Sequence, residues 1–153
     1  MANTYTQIQI HAVYAVKHRH ALIQKKWQTE LHKYTTGIIT NQGHKLLAIN
    51  SVQDHLHLLI GMRPVQSLSD LMEEVKRSSS KWINEKQLAS HHFNWQAGFG
   101  AFSVGSSSIP VVVNYIMNQE EHHRKKTFRE EYLELLKEYD INFDERYIFQ
   151  EPE

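Results

Sequence analysis

Two histidines separated by one residue are the first candidates for chemistry in this chain. His55 and His57 lie in the apolar run HLHLLI. Side chains alternate along a strand, so both imidazoles would project from the face opposite Leu56 and Leu58. A rise of about 3.3 Å per residue separates their Cα atoms by roughly 6 to 7 Å, and converging side chains could then grip one ion. The pair alone is a weak signal, because two histidines on a solvated strand face are commoner.

A later segment offers a nucleophile and a further ligand. Tyr115 and Gln119 are four residues apart, which makes them neighbours on one face of a helix, with His122 or His123 a turn further. A separate apolar stripe on this segment leaves Tyr115 toward the polar side; its members are Val112, Val113, Ile116 and Met117. A packed tyrosine with a purely structural role is the usual explanation for any single Tyr.

The elements that would position these residues follow from hydrophobic periodicity. It predicts strands over residues 5–16, 45–52, 55–61 and 100–105, and helices over 22–40, from Ser67 or Ser69 to about Glu85, over 110–123 and over 129–139. The first six elements predict an α+β fold with a ferredoxin-like βαββαβ antiparallel sheet and helices on one face. C-terminal helices appended from about residue 109 would carry Tyr115. The other sheet face would be solvated, covered by an appended helix, or functional.

Length and composition limit the classes of protein to which this chain can belong. The 153 residues, 41% of them hydrophobic, predict one globular domain spanning 1–153. The chain has no cysteine, so a metal would need nitrogen and oxygen ligands, and eleven histidines are available. The sequence has no apolar run long enough to span a membrane and no secretory signal at its start, which predicts a soluble, cytoplasmic protein without a membrane partner.

The net charge of zero hides an uneven distribution. Residues 1–126 carry 14 Lys/Arg and 8 Asp/Glu, whereas residues 127–153 carry 3 and 9. A basic body followed by an acidic tail is compatible with nucleic-acid binding, since the surface that faces phosphate matters more than the total. An ordinary charged surface with an acidic last helix is the alternative.

Several motifs in order give a more specific indication. The HLH motif at 55–57 is followed by VKRSSSKW at 75–82, WQAGFGAFSV at 95–104, NYIMNQ at 114–119 and QEEHH at 119–123. Together with the opening strand, this pattern resembles the single-tyrosine HUH transposases of the insertion sequence 200/605 group. The resemblance covers nearly the whole chain.

The resemblance implies an enzyme that cuts and rejoins single-stranded DNA at insertion-sequence ends. Tyr115 would attack a phosphodiester to form a 5′-phosphotyrosine, while His55, His57 and Gln119 would hold a divalent metal. Two imidazoles suit Mn, Co, Ni or Zn better than Mg. The resemblance points to Mg²⁺ or Mn²⁺, and we expect weak, exchangeable binding.

The resemblance also implies partners. It indicates single-stranded DNA with hairpin ends, and a homodimer with composite active sites in which the Tyr helix of one protomer completes the His pair of the other. Residues 105–108 would be a hinge for this exchange or simply a helix cap. Basic residues on the second helix and after the first strand are the candidates for DNA binding: Lys76, Arg77, Lys81, Arg19, Lys25 and Lys26, with Lys17, His18 and His20 beside them.

Two other functions remain open from the sequence. A ferredoxin-like sheet can bind single-stranded nucleic acid without chemistry, but this requires aromatic platforms on its open face. The sequence instead predicts Gln9, His11, His55 and His57 there, which disfavours passive stacking. The second alternative is a tyrosine nickase, or a domesticated relative that processes hairpins without transposition.

Overall fold

The computed structural model describes residues 3–153. The strands are β1 (Gln9–Ala15), β2 (Lys45–Ser51), β3 (His55–Gly61) and β4 (Gly100–Val104). The helices are α1 (Lys25–Asn41), α2 (Leu68–Glu85), α3 (Ile109–Met117), α4 (Gln119–His122) and α5 (Phe128–Glu138), with 3₁₀ turns at Arg19–Ala21 and Ser106–Ser108. Among the helices so described, none has the length and apolarity that a membrane crossing requires.

The strands form one antiparallel sheet in the order β2-β3-β1-β4. Because β1 pairs with both β3 and β4, the two sequence halves interleave, as in a split βαβ arrangement. The chain order β1-α1-β2-β3-α2-β4 confirms the predicted α+β, ferredoxin-like fold.

The main apolar core lies between the sheet and the pair α1 and α2. Leu56, Leu58 and Ile60 of β3 are fully buried and belong to one cluster with residues of both helices. The hydroxyl of Ser67 caps α2 by accepting from the Asp70 amide at 3.1 Å, so the helix begins where its apolar stripe begins.

The opposite face of the sheet is covered by the C-terminal helices. Ile116 of α3 packs with Leu59 of β3 in a second cluster. On the β4 side, the ring of Tyr139, which ends α5, stacks on Phe102 at 4.7 Å. Of the three states expected for this face, coverage by appended helices is the one observed.

The first helix begins later than predicted. Leu22 and Gln24 have an extended backbone, and α1 starts at Lys25 instead of residue 22. The Ile23 amide donates to the Gln53 carbonyl at 2.9 Å, which ties this segment to the β2–β3 connection. The tertiary hydrogen bond therefore outweighs the helical periodicity that includes Leu22 and Ile23.

The predicted helix over 110–123 is interrupted. Regular α3 ends at Met117, Asn118 has φ −101° and ψ 24°, and α4 starts at Gln119. Asn50 Nδ2 donates to the carbonyls of Ile116 and Met117 at 3.0 and 3.1 Å. These carbonyls are satisfied by a side chain of β2, so the backbone can turn here without leaving them unpaired.

A glycine in β4 allows α5 to approach the sheet. A Cβ added to Gly100 would lie 2.6 Å from Cε1 of Tyr132, closer than atoms can pack. The Tyr132 ring thus occupies the space that a side chain would need, and the next residue toward the helix start is Glu131. We expect Gly100 to control how closely α5 docks.

Replacing Gly100→Ala should lower the free energy of unfolding by about 1 to 3 kcal/mol, because the added methyl overpacks against Tyr132. Urea denaturation measures this change. Gly105→Ala is the matched control, since a Cβ there meets nothing within 4 Å. Equal stability of the two variants would contradict the tight docking of α5.

Candidate active site

The two histidines of β3 project into the space between the sheet and the C-terminal helices. His55 and His57 are both fully buried, and their ring centroids are 5.1 Å apart. Alternation along β3 places Leu56 and Leu58 in the main core and leaves the imidazoles on the other face. The pair is therefore an internal site and not a solvated strand face.

The helical segment after β4 brings Tyr115 and Gln119 to this pair. Gln119 is fully buried, and its Oε1 lies 3.1 Å from Nε2 of His55. Tyr115 is half-buried, with its ring centroid 5.9 Å from that of His57. The four residues selected from the sequence for chemistry thus lie together within one chain.

An irregularity in β2 places Asn50 beneath this segment. The pairing of β2 with β3 shifts between Leu46 and Ala48, which leaves Leu47 as an extra residue. After this bulge Asn50 lies opposite His57 and on its face of the sheet. Through its hydrogen bonds to the end of α3, Asn50 therefore fixes the backbone between Tyr115 and Gln119.

Glu131 of α5 joins the histidines, and the sequence analysis did not select it. Its side chain is only 3% exposed, and Oε1 lies 3.2 Å from Nε2 of His57 and 3.4 Å from Nε2 of His55. Its Oε2 accepts a hydrogen bond from the Tyr115 hydroxyl. One carboxylate therefore contacts both imidazoles and the candidate nucleophile.

A signal for Glu131 exists in the sequence. It lies four residues before Leu135 and three after Phe128, both buried, so it falls on the buried stripe of α5. A charged residue within such a stripe is unusual unless it is paired. Because residues 127–153 are rich in Asp and Glu, their composition alone does not distinguish Glu131 from exposed carboxylates.

Three more side chains surround the pair. Asp54 Oδ1 lies 2.7 Å from Nδ1 of His55, and His11 Nε2 lies 2.8 Å from Nδ1 of His57. His123 Nε2 lies 3.1 Å from Gln119 Oε1. Because the Nδ1 atoms of His55 and His57 bond to these outer partners, both Nε2 atoms are directed toward Glu131.

Burial and neighbouring charges shift the pKa values of the two central histidines in opposite directions. Burial alone would lower the pKa of His55, but hydrogen bonds and charge from Asp54 and Glu131 raise it to about 9. Burial dominates at the second histidine and lowers the pKa of His57 to about 4, despite its bond to Glu131. At neutral pH the His55 imidazole is therefore cationic and the His57 imidazole is neutral.

The acidic and phenolic groups shift in opposite directions. Burial would raise the pKa of Glu131, but hydrogen bonds from His123, His55 and His57 outweigh it and lower the pKa. Burial first, then the negative charge of Glu131, raises the pKa of Tyr115 above its ordinary value. The carboxylate is therefore ionised and the phenol is protonated in the absence of a cation.

The donor set fits a divalent cation. His55, His57 and Glu131 each offer a ligand atom, and these atoms lie within 4.8 Å of one another. Gln119 Oε1 adds a second oxygen beside His55. Two imidazole nitrogens with carboxylate and amide oxygens form a mixed set of nitrogen and oxygen donors, which suits a divalent metal ion.

The basic residues selected from the sequence fall into two groups. Lys76, Arg77 and Lys81 lie on α2, which packs on the sheet face opposite the histidines. Lys76 Nζ donates to the carbonyls of Gln96 and Gly98 at 2.8 and 2.6 Å, so this ammonium is engaged within the fold. Arg77 pairs with Glu74, and Lys81 lies 3.9 Å from Glu85.

The other group lies near the site. Arg19 and Lys25 line a cavity of about 770 Å³ whose wall also includes Asp54 and His123. Arg19 Nε donates to the Pro152 carbonyl at 2.9 Å, Lys25 pairs with Glu120 at 3.0 Å, and Lys26 is exposed on α1. This cavity opens beside the histidine pair.

The sequence matches the family described as transposase IS200-like over residues 4–119. This match spans most of the chain and ends at Gln119. The chain belongs to the IS200-like transposases, a family of DNA transposition and recombination proteins. Glu131 and the whole of α5 lie beyond the matched residues of this transposase.

A curated relative and two solved structures are similar to this chain. The ISDra2 transposase TnpA of Deinococcus radiodurans is 22% identical over 118 residues, which covers 74% of this chain and 84% of the relative. A solved candidate transposase from Deinococcus radiodurans R1 has a TM-score of 0.62 at 22% identity, covering 78% of this transposase and 95% of that chain. A REP-associated tyrosine transposase bound to a REP hairpin has a TM-score of 0.60 at 13% identity, covering 80% and 73%.

Cation binding by this transposase should strengthen as the pH rises. The proton on His55 must leave before Nε2 can act as a ligand, because the pKa of His55 is raised to about 9. Below that pH, the affinity should increase on the order of tenfold per pH unit for one displaced proton. Titration calorimetry with Mn²⁺ in buffers of different ionisation enthalpy measures the proton release. A constant affinity from about pH 6 to pH 9 would contradict this proton competition.

Proposed function

We propose that this transposase cuts and rejoins single-stranded DNA at insertion-sequence ends through a covalent bond to Tyr115. The observation that carries the proposal is the meeting of the Tyr115 phenol, two imidazoles and two oxygen ligands in one site. A phenol is a sufficient nucleophile for phosphoryl transfer when charge on the phosphate is neutralised. We propose that residues 1–153 perform this reaction as one HUH domain.

The proposed step balances as a transesterification. The Tyr115 oxygen forms a bond to phosphorus while the bond from phosphorus to the 3′ oxygen breaks. The phenol loses a proton, the departing 3′ oxygen gains one, and the 5′ phosphate remains on the tyrosine. No external energy source is needed for rejoining, because the phosphotyrosine is attacked later by another 3′-hydroxyl.

The proposed cation is Mg²⁺ or Mn²⁺, held by His55, His57 and Gln119. When bound, it would polarise the phosphate oxygens and offset the charge that develops during attack. The ionised Glu131 beside these ligands adds the hard oxygen donor that an imidazole pair lacks, and this favours Mg²⁺ or Mn²⁺ over softer ions. Asp54 orients the His55 ring by accepting from its Nδ1–H, and the 2.8 Å contact between His11 Nε2 and His57 Nδ1 orients the second ring.

We propose single-stranded DNA with hairpin ends as the substrate. The hairpin bound by the REP-associated transposase supports a hairpin ligand for this fold. Arg19, Lys25 and Lys26 are the best placed candidates for phosphate contact, because the first two line the cavity beside the histidines. Arg77 and Lys81 remain proposals for a more distant contact, and Lys76 is less available because its ammonium is bonded within the fold.

We propose a homodimer as the working assembly. In α3 the apolar side chains of Val111 and Met117 are 70% and 54% exposed, which leaves apolar surface that a second copy could cover. Composite sites would further require α3 to move from its own sheet through residues 105–108, which are exposed. That exchange remains a prediction from the resemblance.

A nucleic-acid binding module without chemistry is the weaker alternative. The sheet face that would stack bases is filled by α3 and α5, with histidines and a carboxylate between the layers. A domesticated hairpin-processing tyrosine nickase would use the same residues and the same covalent step. Cleavage without rejoining would favour this nickase.

Tyr115→Phe should abolish the covalent adduct while DNA binding remains. The substitution removes the attacking oxygen and its hydrogen bond to Glu131 but keeps the ring, so we expect no detectable adduct on a single-stranded oligonucleotide that carries the element's own end. Denaturing gel electrophoresis with labelled DNA and Mn²⁺ measures it. Tyr5→Phe is the control, because this exposed phenol lies outside the site. An adduct formed by Tyr115→Phe at the normal rate would assign the nucleophile elsewhere.

His57→Ala should weaken Mn²⁺ binding at least about tenfold and abolish adduct formation, because a ligand nitrogen is removed. Chelation of the wild-type protein should have the same effect on the adduct, and added Mn²⁺ should restore it. His92→Ala is the control, since this histidine is exposed. Undiminished cutting by His57→Ala would remove the metal from the proposal.

A further inference from the structure

A run of basic residues connects α4 and α5 beside the cation site. Residues 122–126 read HHRKK and lie just beyond Gln119, where the family match ends. We propose that this basic turn (residues 122–126) forms a phosphate clamp with Arg19 and Lys25, and that the clamp holds single-stranded DNA next to the cation site. The inference rests on the proposed function, because it takes single-stranded DNA as the substrate.

The backbone of the basic turn is anchored to the site. His123 Nε2 lies 3.1 Å from Gln119 Oε1 and 3.2 Å from Glu131 Oε1. Its other ring nitrogen, Nδ1, donates to the Lys126 carbonyl at 2.8 Å. The next residue, Thr127, caps the start of α5 with its side chain. The segment that carries the cations is therefore connected directly to the groups that would surround a metal.

Two separate segments of the chain supply cations to one cavity. Arg124, Lys125 and Lys126 line the cavity of about 770 Å³, and Arg19 and Lys25 line it from the segment after β1 and the start of α1. A cavity of about 770 Å³ lies within the range of ligand sites, so it has room for a nucleotide. Cations from two segments can contact successive phosphates, as in grooves that follow the backbone of a single strand.

The cations of the basic turn differ in their availability. Lys126 pairs with Glu134 at 2.6 Å, so its ammonium is already engaged. Arg124 lies 3.5 Å from Glu121 in a pair whose side chains are 69% and 67% exposed, and such a pair contributes little stability. Lys125 is exposed and forms no ion pair within the described part of the chain. Arg124 and Lys125 are therefore the members that would bind phosphate.

Four carboxylates also line the cavity, so the clamp depends on where its charges lie and not on a net charge. Asp54 is bonded to His55 at 2.7 Å, and Glu120 pairs with Lys25 at 3.0 Å. The other two wall carboxylates are exposed to solvent: Glu130 and Glu151. Of the four, Glu120 is the one that competes directly with a phosphate for a cation of the clamp.

The pair of Lys25 and Glu120 can be exchanged for a contact with DNA. Its side chains are 83% and 69% exposed, so solvent screens the attraction and the pair is weak. A phosphate offers several acceptor oxygens to a lysine ammonium, which binds it as a point charge. An entering strand therefore replaces Glu120 as the partner of Lys25.

Neutralising the basic turn tests the clamp. Arg124→Gln/Lys125→Gln should weaken the binding of a short fluorescent oligothymidylate about tenfold. It should also reduce the slope of log affinity against log salt by about 1.4, because two phosphate contacts to a single strand are lost. Fluorescence anisotropy in the presence of a chelator measures binding apart from cleavage. Lys33→Gln/Lys86→Gln is the matched control, because it removes two exposed cations outside the cavity wall.

Unchanged affinity and salt slope in the first double variant would overturn the inference. Failure of the wild-type protein to bind oligothymidylate would also overturn it, because phosphate contacts do not depend on base sequence.

A substitution of opposite sign gives an independent test. Glu120→Gln should strengthen oligothymidylate binding about threefold, because it removes a repelling charge and releases Lys25 for phosphate. Glu30→Gln is the control, since this exposed carboxylate also lies near a lysine, Lys33 at 4.0 Å, but outside the cavity wall. Equal or weaker binding by Glu120→Gln would overturn the exchange of Glu120 for a phosphate.

The binding assay and the adduct assay together separate the clamp from the function on which it rests. Weaker binding by Arg124→Gln/Lys125→Gln, with an adduct formed by the wild-type protein, supports both. A wild-type adduct with unchanged binding by this variant retains the function and overturns the clamp. Weaker binding by the variant without any wild-type adduct retains the clamp and overturns strand cleavage.

Discussion

A carboxylate excluded from water must find partners, and this requirement organises the site. Glu131 is 3% exposed, so its charge would be costly without the imidazoles of His55, His57 and His123 and the phenol of Tyr115. The partners come from separate parts of the chain, His55 and His57 from β3 and Tyr115 and His123 from the segment after β4. The ion pairs and hydrogen bonds of one residue therefore bring together the sheet, the segment after β4 and the last helix.

The sheet and the helices contribute differently to this arrangement. β3 and its neighbours provide a rigid frame, in which the position of each imidazole follows from strand alternation and from hydrogen bonds to Asp54 and His11. The helices carry the groups that would contact a substrate, and two of them are joined at the bend at Asn118. The residues that match the family include this frame, Tyr115 and Gln119. Glu131, the carboxylate that contacts both imidazoles and Tyr115, lies beyond the residues that match the family.

The alternation of β3 predicted that His55 and His57 share a face, and the helical spacing predicted the same for Tyr115 and Gln119, because both depend on local periodicity. The meeting of the two pairs was implied only by the resemblance. The late start of α1 and the interruption after Met117 could not be predicted in this way, since each depends on a hydrogen bond from a distant segment. Ile23 bonds to Gln53, and Asn50 bonds to the carbonyls at the end of α3. Glu131 was missed because a count of charges along the chain treats a buried carboxylate like an exposed one. Its place on the apolar stripe of α5 was the better guide.

The extra residue at Leu47 has a consequence for comparing this transposase with its relatives. Side chains two residues apart in a strand normally face the same side of the sheet. Because the bulge inserts one residue, Leu46 and Ala48 face opposite sides although they are two residues apart. An alignment that slips by one residue within β2 would place a neighbour of Asn50 over His57. When β2 is aligned with its relatives, the side of the sheet that each residue faces should therefore be counted backwards from Asn50 and Ser51, which pair regularly with β3.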